Sequence, residues 1–359
     1  MEYKNIFVYV LAPLVVTGNK HIDYYYDYTQ SIAEYTKAFA ELNINWVWQP
    51  VTLNNFTEII NEIAKVKNGT QKIIFNLCDG DEVNGSPGVS VIHLLNKLGL
   101  TYTGANAFYY NVTTSKIPMK QAFNNCFVTT PKWDVLTDNN LSEAIFYKLG
   151  KPIIIKPAVS GGSMGVGVKS VVNNVVDLKT QFDNLKLGFQ NYNLLVDGAI
   201  AESYIAGKEF TTFIIGNYNQ QKTATIYTPV ERVFNKALKP EEQFLSYDRL
   251  WETYDTEKPI GDYEDFYNYF LPEAHLIEAI KQISWQAYAA VQGVGYGRVD
   301  IRMCNTTNNL YVLEVNAQCG ISEDENYTSI GAILRLSKNS FSSVVLKIVE
   351  NAITNNASL

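Results

Sequence analysis

The chain has 359 residues, of which 47% are hydrophobic and 18% charged, a composition typical of a folded globular protein rather than a disordered chain. At this length two or three packed units are expected. The formal net charge of −7 and the pI near 5.2 argue against nucleic acid or an anionic membrane as a partner.

The first apolar run, residues 6–16, is too short to span a bilayer and has no strongly basic flank, so it is interpreted as a buried first strand. The four cysteines form no C-x-x-C pair, so neither a zinc site nor a disulfide framework is indicated. The sequence therefore predicts a protein of the reducing cytoplasm.

Over the first hundred residues, short apolar runs alternate with amphipathic stretches. The predicted elements are strands at 6–10, 46–51 and 72–77, helices at 30–42, 56–66 and 90–98, and a short strand at 100–103. This order predicts a parallel sheet and an N-terminal α/β domain of residues 1–104.

Two further units are expected, an α+β subdomain of residues 105–199 and a second one of residues 200–359. The predicted elements are helices at 114–124, 141–149, 272–291 and 341–351, strands at 132–136 and 152–155, and an irregular polar segment at 227–270. Helices and strands are thus mixed in both units.

A glycine-rich loop runs from Lys156 to Gly167 between the apolar run 153–155 and the strand-like segment 166–172. A Walker loop or a dinucleotide fingerprint would open a helix instead, so both are disfavoured. The pattern predicts a hairpin flap whose backbone N–H groups approach phosphates, with Lys156 supplying positive charge. The alternative is an ordinary flexible β-hairpin.

About forty residues later, a predicted strand ends at Glu202 and a Gly207-Lys208-Glu209 turn begins another. A connector of this shape offers backbone groups to an adenine, while Glu209 can accept from ribose hydroxyls. The alternative is a solvated charged turn.

Residues 297–303 alternate strictly between apolar and polar, which predicts a half-buried strand, and residues 310–316 form a returning strand. If the hairpin is symmetric about Thr307, Asp300 lies directly opposite Glu314. Two like charges in a cross-strand pair destabilise a sheet unless something neutralises them.

A divalent cation would remove the repulsion between these carboxylates. Asp300, Glu314 and Asn316 supply the oxygen ligands that Mg²⁺ prefers, with phosphate and water completing its shell. The alternative is that Arg298 or Arg302, on the same face as Asp300, neutralises the pair.

Taken in order, these motifs resemble the ATP-grasp superfamily, and within it the D-alanine:D-alanine ligase branch, from about Phe75 to Ser322. The segments that carry the resemblance are Phe75-Asn76-Leu77, Asp79-Gly80, Tyr102-Thr103-Gly104, Lys116 with Lys120, the Lys156-Pro157 loop, 202–210, Gly297-Arg298-Val299-Asp300, and Leu313-Glu314-Val315-Asn316 with Gly320. The resemblance implies an ATP-grasp fold, in which a parallel-sheet domain precedes two α+β subdomains that sandwich ATP.

The resemblance also implies an ATP-dependent carboxylate–amine ligase that works through an acyl phosphate. Lys116 and Lys156 would contact the phosphates of ATP beneath loop residues such as Ser163. Glu202 and the backbone of Tyr204 and Ile205 would hold adenine, and Glu209 the ribose. Asp300, Glu314 and Asn316 would bind two Mg²⁺ ions, with Mn²⁺ as a substitute, and Arg298 with the backbone near Gly320 would stabilise the oxyanion.

Several positions depart from the family pattern. The N-terminal glycine-rich stretch and its glutamate are absent, and Asp27 is the candidate replacement. Asp79 stands where the family has histidine, and Ser160 where it has glutamate. After Gly320 the segment 322–326 is acidic, so Glu323 and Glu325 are candidate substrate contacts that would repel a carboxylate.

These departures favour a ligase for amino-acid or peptide substrates other than D-alanine, over an authentic D-alanine:D-alanine ligase or an ATP-binding regulator without catalysis. The segment 227–270 is interpreted as a lid whose four cations, Arg232, Lys236, Lys239 and Arg249, could close over the triphosphate. The alternative is a solvated insertion. The resemblance allows a homodimer, but the sequence itself leaves the oligomeric state open.

Overall fold

The computed structural model describes residues 5–16, 18, 23, 26–67, 69–189, 191–255, 257–261, 265–326 and 328–356. Its first sheet is parallel, as predicted, and has the strand order β2-β1-β3-β4. The elements are β1 (Ile6–Pro13), α1 (Thr29–Leu42), β2 (Asn45–Val51), α2 (Phe56–Lys65), β3 (Gln71–Asn76), α3 (Val89–Lys97) and β4 (Thr101–Tyr102).

Both faces of this sheet are covered, which explains why β1 is an almost continuous apolar run. On one face, Tyr35 and Phe39 of α1 pack with Phe75 of β3. The last helix, α11 (Phe341–Asn356), lies on the same side. On the other face, residues such as Ile60 of α2 and Leu95 of α3 form a separate core.

The middle sheet has the order β5-β8-β6-β7 with antiparallel neighbours. Its strands are β5 (Trp133–Leu136), β6 (Ile153–Pro157), β7 (Val171–Val172) and β8 (Ala199–Ser203). The accompanying helices are α4 (Ala107–Thr114), α5 (Lys116–Asn125), α6 (Glu143–Leu149) and α7 (Val175–Leu187). Helices α6 and α7 contribute Phe146 and Phe182 to its core.

The strand predicted at 166–172 is only partly correct. A 3₁₀ turn occupies Val168–Ser170, and only two residues join the sheet. The N–H of Gly167 donates to Ser170 Oγ (3.0 Å) and the N–H of Val168 to Glu257 (2.7 Å). These donors are therefore not available to a strand ladder.

The third sheet has the order β12-β11-β9-β13-β14, with β10 beside β9, and its pairs are antiparallel. Its strands are β9 (Gly207–Asn217), β10 (Thr225–Ile226), β11 (Val230–Phe234), β12 (Tyr267–Phe270), β13 (Val294–Cys304) and β14 (Leu310–Ala317). Its helices are α8 (Tyr247–Leu250), α9 (Ala274–Ala290) and α10 (Ser329–Ser337).

Helices α4, α5 and α9 cover one face of the third sheet, and α10 and α11 cover the other. Helix α11 also contacts β3 and α1, so one core joins the first and third sheets. No helix in the described ranges is long and apolar enough to cross a membrane. The domain boundaries at 104 and 199 remain predictions.

Sequence reasoning missed helices α7 and α10 and the strands inside the 227–270 segment. The helix predicted at 114–124 corresponds to α5, whereas the separate helix α4 before it was missed. Ser115 has an extended backbone (φ −111°, ψ 135°) and its hydroxyl accepts from the N–H of Ile117 at 3.3 Å. Ser115 therefore ends α4 and caps α5.

Candidate active site

The β13–β14 hairpin places the predicted acidic pair as expected. Asp300 lies opposite Glu314, and Arg298 opposite Asn316. The hairpin is not symmetric throughout, because the register shifts after Asp300 and leaves Leu313 as a bulge. This bulge allows two successive side chains, Leu313 and Glu314, to line the same cavity.

Basic side chains neutralise the acidic pair. Arg298 contacts Asp300 Oδ2 through Nε (3.1 Å) and Nη2 (3.0 Å), and Lys116 lies 3.5 Å from Glu314. Burial acts to raise the pKa of Glu314, but the neighbouring lysines and Arg298 outweigh it and hold that pKa at about 2. Arg298 therefore neutralises Asp300, as the alternative interpretation required, while Glu314 is ionised.

The donor set fits a hard divalent cation shared with a nucleotide. Asn316 Nδ2 lies 3.1 Å from Asp300 Oδ2 and 3.4 Å from Glu314 Oε1, so the three side chains converge. Rotation of the amide would turn its oxygen toward the same point. No group of three or more His, Cys, Asp and Glu side chains suited to a metal gathers anywhere in the described part of the chain, so a cation here would depend on the amide of Asn316. Two carboxylates and an amide leave positions that phosphate oxygens can fill.

A cavity of about 540 Å³ lies between the middle and third sheets. Every residue predicted to contact nucleotide or metal lines it: Lys116, Lys156, Ser163, Glu202, Tyr204, Ile205, Glu209, Arg298, Asp300, Glu314 and Asn316. The structure thus brings together side chains that are up to 200 residues apart, while the role of each remains a prediction.

Glu202 lies at the floor of this cavity between two lysines. Its carboxylate is 3.1 Å from Lys120 and 3.2 Å from Lys156. Burial lowers the pKa of Lys120 to about 8, and Lys120 also donates to Thr130 Oγ1 at 2.7 Å. Burial opposes ionisation of Glu202, but the two lysines keep its pKa below the usual value. Glu202 therefore anchors the Lys156 side chain.

Glu209 is held by two arginines that are its direct neighbours on adjacent strands. Arg232 of β11 and Arg302 of β13 both pair in register with Glu209 of β9. Arg232 bonds one carboxylate oxygen, and Arg302 bonds the other through Nε (3.1 Å) and Nη2 (3.0 Å). Of the two arginines considered for neutralising the acidic pair, Arg298 therefore contacts Asp300, whereas Arg302 pairs with Glu209.

Arg302 also connects the segment between β8 and β9 to the 227–270 segment. It donates to the carbonyl of Ile205 at 2.8 Å and to the carbonyl of Gln243. Sequence reasoning missed this role. Predicting it would have required the register of β9 against β13, which places Glu209 opposite Arg302.

Of the four lid cations, only Arg232 lines the 540 Å³ cavity, and it is bound to Glu209. Arg249 points to other lid residues, with Glu242 at 2.8 Å and Glu257 at 3.4 Å. The lid is fastened to the flap by Trp251, whose Nε1 donates to the carbonyl of Gly162 at 2.8 Å. The contact of Glu257 with the N–H of residue 168 is a second fastening point.

A second cavity of about 470 Å³ lies between the first sheet and the flap. It shares residues 160–162, Trp251, Arg298 and Asn316 with the first cavity, so the two meet at the hairpin. Asp79 and Gly320 both line it. Asp79 is exposed to the cavity, and the surrounding protein raises the pKa of its carboxyl to about 6.

The other three candidate substrate residues line neither cavity. Asp27 is exposed and accepts hydrogen bonds from the first residue of α1. Glu323 pairs with Lys37 at 3.0 Å, and Glu325 with Arg335 at 2.6 Å. These acidic groups have partners outside the two cavities, and their role in substrate binding stays a prediction.

Two hydroxyls that sequence reasoning missed line the first cavity at the start of α10. Thr328 Oγ1 and Ser329 Oγ are buried and have no hydrogen-bond partner among the described residues. The N-terminus of a helix favours anions through its free N–H groups and its dipole. The Thr-Ser pair before apolar Ile330 was a usable N-cap signal.

The sequence comparisons agree with this architecture. Residues 121–350 match the family model described as D-ala D-ala ligase C-terminus. A D-alanine–D-alanine ligase of Haemophilus influenzae is 25% identical over 298 residues, covering 80% of this chain and 86% of that protein. The D-alanine–D-alanine ligase B of Xanthomonas campestris is 28% identical over 255 residues, 69% of each chain.

Solved structures give the same fold. The D-alanine–D-alanine ligase of Bacillus anthracis complexed with ATP superposes with a TM-score of 0.67 at 18% identity, covering 98% of both chains. The ligase of Coxiella burnetii gives a TM-score of 0.66 at 14% identity, covering 98% of this chain and 96% of that one. The chain has the ATP-grasp fold and belongs to the D-alanine–D-alanine ligase family of carboxylate–amine ligases.

Proposed function

We propose that this protein uses ATP to activate the carboxylate of one amino-acid-like substrate and joins it to the amine of a second one. The observation that carries the proposal is the pair of cavities that meet at Arg298 and Asn316. The 540 Å³ cavity has charged side chains and backbone groups that suit a nucleotide. The 470 Å³ cavity reaches the same β13–β14 hairpin from the other side and would hold the substrate.

In the first cavity, the backbone of Tyr204 and Ile205 borders adenine and Glu209 accepts from the ribose. Lys116 and Lys156 neutralise the phosphates, and the flap covers them. Ser163 has a left-handed backbone (φ 62°), which orients the N–H groups at the end of the flap. The ligase of Bacillus anthracis that shares this fold was solved with ATP.

Asp300, Glu314 and Asn316 would hold magnesium. Bound there, magnesium offsets the negative charge of the β- and γ-phosphates as the γ-phosphoryl group is transferred. Arg298 already neutralises Asp300, so the hairpin is stable before the nucleotide arrives.

The chemistry takes two steps. A carboxylate oxygen of the donor attacks the γ-phosphorus of ATP, ADP departs, and an acyl phosphate is formed. The neutral amine of the acceptor then attacks the acyl carbon, the tetrahedral oxyanion faces Arg298 and the backbone at Gly320, and phosphate leaves as the amide forms. Both residues line the second cavity.

The acceptor can carry its own carboxylate. Thr328 and Ser329 offer two unused hydroxyls at a helix N-terminus, which suits an anion. Glu323 and Glu325 form ion pairs with Lys37 and Arg335. Their charges therefore no longer argue against an acceptor that carries a carboxylate. An authentic D-alanine–D-alanine ligase, as the relatives are named, is therefore the second candidate function.

The test measures ADP and phosphate release from ATP and magnesium with amino acids singly and in pairs, with mass spectrometry of the products. Pair-dependent release with a condensed product supports the ligase, and product from D-alanine alone supports the second candidate. Asp300→Asn is expected to abolish release, whereas Asp183→Asn on the exposed surface of α7 is the matched control. ATP binding without turnover of any pair would contradict both functions.

A further inference from the structure

The wall of the 470 Å³ cavity is aromatic. Six rings line it, contributed by Tyr26, Tyr28, Tyr35, Tyr110, Tyr192 and Trp251. A volume of this size falls within the range of roughly 300–1,000 Å³ that encloses drug-sized ligands. Alanine, whose side chain is a single methyl group, would leave most of this apolar surface in contact with water.

Two tyrosines from different parts of the fold face each other across the cavity. Tyr26 precedes α1 at the first sheet, and Tyr192 lies in the loop before β8 of the middle sheet. Their hydroxyls are 3.5 Å apart. Leu77 and Leu194 extend the same lining. Because the two hydroxyls are in contact, an apolar side chain would pack beside this pair, next to tyrosines from both units.

The cavity also has a polar end, at the carboxylate of Asp79. Gln318 is buried, and its Nε2 donates to the carbonyls of Asn76 (3.3 Å) and Cys78 (3.0 Å). Asp79 follows Cys78 directly, so these hydrogen bonds fix the backbone that carries its carboxylate.

Among the described residues, Asp79 forms no ion pair with a lysine, arginine or histidine. Its side chain is exposed to the cavity, so a ligand can reach the carboxylate. An ammonium group supplies three N–H donors and a positive charge, which match a carboxylate.

We propose that the donor is an amino acid with a large aromatic side chain, whose ammonium binds Asp79 while its ring packs against the wall of the cavity at Tyr192. This inference rests on the proposed ligase function. An amine held as an ammonium has no free electron pair and cannot attack, so this substrate presents only its carboxylate to ATP. That carboxylate lies toward Arg298, where the cavities meet.

Calorimetry with magnesium and a non-hydrolysable ATP analogue tests the binding of phenylalanine, tyrosine, tryptophan, alanine and lysine in both enantiomers. Aromatic amino acids are expected to bind at least tenfold more tightly than alanine or lysine. Asp79→Asn is expected to weaken phenylalanine binding roughly 10- to 100-fold, because it removes a charge-assisted contact. The affinity for the ATP analogue serves as the folding control.

Two substitutions of Tyr192 distinguish the loss of ring packing from a general loss of folded structure. Tyr192→Ala is expected to weaken binding of phenylalanine but not of alanine, whereas Tyr192→Phe retains the ring and the affinity. Ligation assays with the same amino acids follow, with Asp183→Asn as the surface control.

The outcomes distinguish this inference from the proposed function. Condensation of alanine pairs without binding or condensation of aromatic amino acids would overturn the inference and leave the ligase standing. Asp79-dependent binding of phenylalanine without condensation of any pair would refute the ligase and leave the cavity assignment standing. Equal affinities for alanine and phenylalanine in wild type and Tyr192→Ala would also overturn the inference.

Discussion

Replacing Arg302 by methionine tests how the nucleotide cavity is organised. Arg302 is 3% exposed and stands in a row of directly opposed residues, Arg232, Glu209 and Arg302, on three adjacent strands. Breaking a buried ion pair by removing one partner costs about 3–5 kcal/mol in the free energy of unfolding. Because Arg232 still neutralises Glu209, we expect about 3 kcal/mol, or about 6 °C in Tm at roughly 2 °C per kcal/mol for a large chain.

The same substitution also affects ATP. Arg302 fixes the Glu209 carboxylate and the Ile205 carbonyl, which border the ribose and the adenine in the proposed complex. These groups contact parts of ATP that do not change during the reaction, so their loss weakens substrate and transition state equally. We expect KM for ATP to rise about tenfold, since one or two charge-assisted contacts are disturbed, with kcat within about twofold of wild type.

Steady-state ADP release and thermal unfolding measure the two effects. Arg335→Met makes the same chemical change at a half-exposed ion pair with Glu325, and it is expected to change stability by less than about 1 kcal/mol. The reasoning fails if Arg302→Met lowers kcat while KM for ATP is unchanged. It also fails if the variant melts with wild-type Tm.

Three other changes have defined outcomes. Asp300→Asn is expected to lower ADP release at least 100-fold and to raise the magnesium concentration needed for half-maximal rate; a wild-type magnesium profile would count against the metal assignment. Thr328→Val is expected to raise KM for the acceptor roughly 3- to 10-fold through one lost neutral hydrogen bond, with KM for ATP unchanged; an effect on ATP alone would refute the acceptor assignment. The pKa of Asp79 is about 6, so donor binding that needs its carboxylate is expected to weaken as pH falls below 6. Calorimetry between pH 5 and pH 8 measures this loss, since the nearby Tyr26 and Tyr110 have raised pKa values and stay neutral throughout; a flat profile would remove Asp79 from the donor site.

The sequence predicted those parts of the site that depend on local order along the chain. Strict alternation placed Arg298, Asp300 and Arg302 on one face. Asp300 lies opposite Glu314 as predicted, but it does so because the bulge at Leu313 shifts the register, which a symmetric hairpin does not include. The three motifs that line the 540 Å³ cavity could be recognised from their order along the chain.

Contacts that depend on pairing between strands far apart in the sequence could not be predicted from the sequence. The partner of Arg302 depends on how β9, almost a hundred residues earlier, aligns with β13. The charges of Glu323 and Glu325 looked available for substrate because their partners, Lys37 and Arg335, come from other elements. Net charge along a segment therefore did not reveal which groups face a cavity.

The two cavities share one roof, formed by residues 160–162 and Trp251. Opening that roof for ADP to leave also opens the path for the condensed product, and closing it over ATP closes the compartment that holds the donor. We therefore expect the donor to enter before residues 160–162 and Trp251 close over the cavities. We also expect ADP and the new amide to be released together, in one slow opening step. The proposed acyl phosphate would then exist only between these two movements, while the closed compartments keep water away from it.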